Sequence, residues 1–345
     1  MKRGVLLGIL MAGVTFVCSG CQSSGSWQGE TSYTSSVTQT ETEIDENLIV
    51  VGVSQVGAES DWRIAQTNSI KEELTTENGF YMIFDNAQQK QENQIKAVRN
   101  FILQEVDYIV LDPIVGSGWD NVLQNAKDAG IPVIVIDRNV ELEDDSLYVT
   151  SILTDSEAEG RNAGYWLADY LEEQGRDEED INIVMLLGTE GASAQIGRTK
   201  GFAEVAADHE NWKILEQLGG DFTQAKGRES METLLEKYDD IDVVISENDN
   251  MTFGAVDAIQ AAGRSCGPDG DMIMISFDAV RAALEAMLAG EINADFECNP
   301  LQGPLLAETI RRLENGEEVE KIQYVDETYF DTTMDLETLM KDRAY

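Results

Sequence analysis

The stretch Leu48 to Arg63, LIVVGVSQVGAESDWR, narrows the possible folds more than any other part of the chain. Its first half is a run rich in β-branched residues with no polar alternation, which suits a strand buried on both faces of a parallel sheet, and Gly52 lets a neighbour approach closely. The strand ends at Ser54. A short loop with Gly57 follows, and Trp62-Arg63 open a helical pattern carried by Ile70 and Leu74. Open α/β sheets bind ligands at the carboxyl ends of their strands. The loop therefore puts Ser54, Glu59, Trp62 and Arg63 where a ligand would sit. These residue types suit a small polyol: an indole packs against a C–H face, while a carboxylate and a guanidinium fix hydroxyls by charge-assisted hydrogen bonds. Taken alone, the segment reads equally well as a surface loop whose Trp covers a helix end and whose Arg is solvated.

The rest of the chain repeats the strand-then-helix pattern. Strands are expected at Phe80 to Phe84, Asp107 to Leu111, Pro132 to Ile136 and Leu147 to Ser151, with helices between the first four, one carrying Ile95, Val98 and Ile102 and another running from Asn121 to Ala129. The helix Ser156 to Leu171 opens a second series, with strands at Ile181 to Leu187, Trp212 to Gln217, Asp242 to Ser246, Met272 to Phe277 and Ile292 to Cys298. A last helix, Leu301 to Asn315, and a strand, Ile322 to Val325, can return to the first series. Alternation without hairpin signals marks βαβ units and parallel sheets. At 345 residues the chain exceeds what one core usually supports, so two lobes of the same doubly wound α/β class are expected.

Charge and the amino terminus bound the compartment. Sixty-five acidic residues against 24 basic ones give a net charge of −41, which repels nucleic acid and anionic membrane surfaces. Lys2 and Arg3, the apolar run Val5 to Val17 and then Cys18-Ser19-Gly20-Cys21 read as a lipoprotein signal peptide over residues 1–20, with Cys21 as the lipidated first residue. The apolar run is shorter than the about 20 residues needed to span a bilayer. Residues 21–46 are rich in Ser, Thr and Glu and nearly free of apolar side chains, so they are expected to form a disordered tether. Cys266 and Cys298 remain. If Met272 to Phe277 and Ile292 to Cys298 are parallel neighbours, the two sulfurs lie at opposite edges of the sheet, about 15 Å or more apart by strand rise, so two free thiols are expected.

Further candidates stand at the ends of the other strands: Asp112, Asp137-Arg138, Asn248, Asp278 and Asn299, with Arg198 in the helix around Ile196 to Phe202. Asp and Asn accept hydroxyl protons or bridge adjacent hydroxyls, and Arg supplies a rigid donor fork. Singly, such residues are usually helix caps, Asp278 above all. A run of them across both series is harder to explain that way. Catalytic parts are scarce. The sole histidine, His209, lies in a surface-type segment, so a zinc site or a His-dependent triad lacks its components, and no GxGxxG or Walker sequence follows a strand. No cofactor and no metal is expected. Paired carboxylates of a glycosidase remain open, because Asp and Glu are abundant.

In VGVSQVGAESDWR, DNAQQKQENQIKA, IPVIVIDRNVELEDDSLYVT and ISFDAVRAALEAMLAGEINADFECNPLQGP the chain resembles the type I periplasmic sugar-binding proteins of ABC transporters, most of all their galactofuranose-binding branch. The shared marks are a strand followed by Asp-Arg, an Arg before Thr-Lys-Gly-Phe, an Asn-Asp after a strand and a strand ending in Phe-Asp. The resemblance implies two Rossmann-like lobes joined by a hinge of three crossings, residues 47–151 with 299–325 and residues 152–298 with 326–345. It implies ligand contacts from Trp62, Arg63, Asp137, Arg138, Arg198, Asn248 and Asp278, with Glu59, Ser54 and Asn299 as lesser members. With the scarcity of acid-base groups and the signal peptide, which point to a non-enzymatic, monomeric lipoprotein outside the cytoplasm attached to the membrane through its lipid alone, the resemblance implies a solute-binding protein that passes a furanose to an ABC permease. A sensory receptor for a membrane signalling partner stays open beside it.

Overall fold

The computed structural model describes residues 47–345; the expected signal peptide, Cys21 and the tether up to residue 46 lie outside the described residues. The first series forms β1 (Ile49–Gln55), α1 (Asp61–Glu73), β2 (Phe80–Asn86), α2 (Gln91–Leu103), β3 (Tyr108–Leu111), α3 (Asp120–Asp128), β4 (Val133–Asp137) and β5 (Thr150–Leu153). The second forms α4 (Ser156–Glu173), β6 (Ile181–Leu187), α5 (Ser193–Ala206), β7 (Trp212–Gly219), α6 (Gln224–Lys237), β8 (Val243–Ser246), α7 (Asp249–Ala261), β9 (Ile273–Asp278), α8 (Arg281–Leu288) and β10 (Ala294–Glu297). Then follow α9 (Gly303–Glu314), β11 (Ile322–Tyr324), β12 (Tyr329–Asp331) and α10 (Leu336–Leu339).

Two six-stranded sheets result, ordered β11-β5-β4-β3-β1-β2 and β12-β10-β9-β8-β6-β7. Every pairing is parallel except that of β12 with β10. Each sheet thus reverses its strand order once, between β1 and β3 and between β6 and β8, and such switch points are where doubly wound folds leave a crevice. Burial on both faces explains the unbroken apolar strands. In β3, Tyr108 and Val110 pack with Ile70 of α1 and Leu306 of α9, while Ile109 and Leu111 pack with Val98 of α2 and Leu123 of α3. The second sheet divides the same way, Ile183 and Met185 to one core and Val184 and Leu186 to the other. Gly52 has its close neighbour: a Cβ there would lie 2.5 Å from the Phe101 ring.

Three differences from the sequence reading matter. The fifth strand begins at Thr150 rather than Leu147, because Leu147 sits in a single turn whose Asp144 carboxylate accepts from Ser146 N. β12 and α10 were not foreseen; three and four residues are too few to carry a periodicity. Finally, α8 begins at Arg281 with Val280 at its N-cap and no side-chain cap, so Asp278 does not play the structural part its position suggested. Cys266 and Cys298 are both buried and unbridged, as expected.

Three chain segments connect the lobes: between β5 and α4, between β10 and α9, and between β11 and β12. One carboxylate ties them together. Glu327, in the third, accepts from Asn299 N of the second at 3.1 Å and from Asp155 N of the first at 3.3 Å.

Candidate functional site

The carboxyl ends of both sheets face one another across a cleft, and several hydrogen bonds close it. Gly116 N donates to Gly191 O at 3.1 Å, Asn139 N to Ser193 Oγ at 2.9 Å and Asp61 N to Asn250 Oδ1 at 3.0 Å; the Trp62 indole N–H donates to Cys298 O. Inside lies a small cavity lined by Glu59, Trp62, Arg63, Asp137, Arg138, Arg198, Asn248 and Asp278, together with Ser60, Ala194, Phe222 and Cys298. Eight of the ten expected contacts therefore converge on one cavity. Ser54 and Asn299 stand outside it. Ser54 Oγ is buried within β1 without a hydrogen-bond partner, and Asn299 turns into the hinge, its side chain donating to Asp326 O and accepting from Leu301 N.

On the first lobe, Ser60 caps α1 by accepting from Arg63 N at 3.1 Å, which starts the helix where Trp62 and Arg63 reach inward. Arg63 is committed to protein on every nitrogen: Nε to Glu59 at 2.9 Å, Nη1 to Asp112 and to Gln66, Nη2 to Asp137 at 2.8 Å. It organises carboxylates more than it offers donors. Arg138 is less committed, since Nη1 donates to Ile114 O at 3.1 Å while Nε, 3.7 Å from Asp137, is buried without a hydrogen bond. Burial opposes ionisation of Glu59, but the two guanidiniums overcome it and hold its carboxyl below the usual range; its Oε2 has no partner. Asp112 fares differently. Burial outweighs Arg63 there and pushes the carboxyl up to about 8.

On the second lobe, Arg198 spans the cavity floor with Nε on Glu159 at 2.6 Å and Nη2 3.5 Å from Asp278, its guanidinium over the Phe277 ring at 5.0 Å. That distant ion pair leaves Asp278 poorly compensated, so burial drives its carboxyl well above the ordinary value despite Arg198. Asn248 splits its amide: Oδ1 caps α7 by accepting from Met251 N at 2.9 Å, and Nδ2 donates to Phe222 O at 3.3 Å with a second hydrogen to spare. Backbone geometry also marks the site. Asp137, Asp278 and Phe222 have φ of 63°, 108° and 58°, and non-glycine residues in this region are held there by their surroundings.

Phe222 is the member the sequence reading missed. Its ring meets the Arg138 guanidinium at 5.2 Å across the cleft. Gly188 makes room for it, since a Cβ there would lie 1.9 Å from the ring. Gly219-Gly220 before Asp221-Phe222 was the available signal, but a glycine pair marks an irregular turn without saying which side chain the turn presents. Trp62 needs a correction. It lines the cavity, yet it is only 4% exposed and belongs to the core cluster that includes Ala279 and Val280, so it is as much a packing residue as a platform. His209 lies outside the cavity and stacks on Trp212 at 4.2 Å.

Two doubly wound lobes, a three-segment hinge and a polar cavity at their facing strand ends define a two-lobed solute-binding protein. The chain belongs to the periplasmic binding protein domain family, whose model matches residues 51–318. It is 41% identical over 286 residues to the galactofuranose-binding protein YtfQ of Escherichia coli (strain K12), covering 82% of this chain and 87% of that one. A crystal structure from Mycobacterium smegmatis in complex with β-D-fucofuranose superposes with a TM-score of 0.81 at 41% identity, covering 85% of this chain and 94% of that one. The periplasmic binding protein component of the arabinose ABC transporter from Shewanella sp. ANA-3, bound to α- and β-L-arabinofuranose, gives 0.80 at 40% identity, over 86% and 95%. Among the described residues no helix is long and apolar enough to cross a membrane.

Proposed function

We propose that this chain is an extracytoplasmic lipoprotein, anchored through Cys21 by the tether of residues 21–46, that captures one monosaccharide in its furanose form, galactofuranose or a near relative, and delivers it to an ABC permease. The observation that carries the reading is the cavity's chemistry. Two aromatic rings, Trp62 and Phe222, line it beside groups with hydrogen-bonding capacity left over: Arg138 Nε, Glu59 Oε2, the Asn248 amide and the Asp278 carboxyl. Apolar faces with a few fixed donors and acceptors suit a small polyhydroxylated ring. Relatives whose names or bound ligands are furanoses support the ring form.

Binding without turnover is favoured because two acidic groups of the cavity, Glu59 and Asp137, pair with Arg63. Calorimetric titration against pentoses and hexoses, with ring form followed by NMR, tests the assignment. Saturable binding of a furanose with no product formed is the expected result, and preference for an amino acid or peptide would end the reading. Mass spectrometry of the membrane-extracted mature chain is expected to find acyl groups on Cys21 as its first residue.

A further inference from the structure

Behind the sugar cavity, at the hinge, three side chains from separate segments converge. Glu159 comes from the first turn of α4, Cys298 from the segment between β10 and α9, and Glu327 from that between β11 and β12; each offers a ligand atom within 4.8 Å of the other two. Among the described residues no other group of His, Cys, Asp and Glu gathers in this way.

The donor atoms are available. Glu159 is 4% exposed; its Oε2 accepts from Arg198 Nε, but Oε1 is buried with no hydrogen-bond partner, an expensive state for a carboxylate oxygen. Glu327 accepts one backbone amide on each oxygen and keeps a lone pair on each. Cys298 is an unbridged, buried thiol. A surface cleft lined by both Glu159 and Glu327 gives a route in from solvent. We propose that Glu159, Cys298 and Glu327 form a binding site for a divalent cation of borderline softness, Zn²⁺ in the first place, at the junction of the three hinge segments.

The ligand set decides the class. A thiolate with two carboxylates suits tetrahedral zinc with water in the fourth position, whereas Mg²⁺ and Ca²⁺ require more oxygens and do not take sulfur. Charge closes as well. Two carboxylates and a thiolate carry −3, the cation +2, and Arg198, fixed on Glu159, the remaining +1. Coordination requires the thiolate, so binding releases the thiol proton to the buffer. Because Cys298 and Glu327 lie in two hinge segments and Glu159 in the helix that follows the remaining one, the bound ion ties together parts that must shift for the lobes to part.

The site stands apart from the sugar assignment and is tested without sugar. The purified mature chain is titrated with Zn²⁺ by calorimetry and with Co²⁺ by absorption, alongside Cys298→Ser, Glu327→Gln and, as the control for the other thiol, Cys266→Ser. The expected result is one equivalent of Zn²⁺, a thiolate-to-cobalt charge-transfer band, and retention of both in Cys266→Ser. Loss of an outer-shell partner alone weakens metal sites by about 10- to 100-fold, so Cys298→Ser and Glu327→Gln should lose at least that much, the former with its band. Absence of saturable Zn²⁺ binding by the parent, or a band and affinity unchanged in Cys298→Ser, overturns the proposal.

Discussion

Replacing Asp278 by asparagine should move affinity and stability in opposite directions. The carboxyl is 5% exposed, its nearest cation is Arg198 at 3.5 Å, and burial lifts its pKa well above the usual value. A group whose folded pKa is raised binds its proton in the folded chain and not in the unfolded one, so at neutral pH it works against folding. Asparagine keeps the shape and one acceptor oxygen, tolerates positive φ better than most residues, and removes the charge. The melting temperature should hold or rise. Sugar binding should suffer, because the protonated carboxyl donates an O–H to a sugar hydroxyl and the amide does not reproduce that donor's placement, so about one neutral hydrogen bond of about 0.5–1.5 kcal/mol is lost. That loss is roughly 2- to 13-fold in affinity. Calorimetric titration and scanning calorimetry on the same preparation read both quantities. A variant that binds as tightly as the parent and melts several degrees lower would refute the reasoning and return Asp278 to a structural role.

Three further outcomes are expected. Trp62→Ala should cost about 3–5 kcal/mol of stability, the usual figure for emptying a buried aromatic site, and it also leaves Cys298 O without its indole donor; unchanged denaturant midpoints would contradict this. Phe222→Ala should weaken sugar binding about tenfold, near 1.4 kcal/mol, with a smaller effect on melting, since the ring's partner across the cleft is the Arg138 guanidinium; equal affinities by titration would remove Phe222 from the site. Melting temperature without sugar should fall between pH 5 and pH 8. Asp112, Glu247 and Asp295 are lifted by burial to about 8, 7 and 7, so the folded chain holds protons that the unfolded chain has lost above about 4, and stability is spent as they ionise. A flat or rising profile would contradict the assignment.

How far the sequence could be read depended on what each signal measures. Both sheets were legible because strands buried on two faces spell themselves out as unbroken apolar runs, as Ile181 to Leu187 does. The strand-end rule found Asp137, Arg138, Asn248 and Asp278, since the fold itself delivers those positions to the cleft. It failed for Ser54 and Asn299, where one residue along the chain decides between pointing into a cavity and pointing into a strand or hinge. It could not see Phe222, whose direction comes from two consecutive positive-φ residues, Asp221 and Phe222. Nor could it tell that Trp62 is shared between cavity and core, because packing across the lobes depends on how far the cleft closes.

The order of the elements along the chain has a consequence for how the molecule is made. The first sheet waits for its edge strand β11 and its covering helix α9 until the whole second sheet but β12 has been synthesised, and the second waits for β12 still later. Neither lobe can be finished on the ribosome before almost the entire chain has emerged, and contacts this distant in sequence form slowly. Such a polypeptide remains unfolded for longer than one whose domains are continuous. Interleaving the lobes to build a hinge thus also ties the completion of each lobe to the arrival of the other.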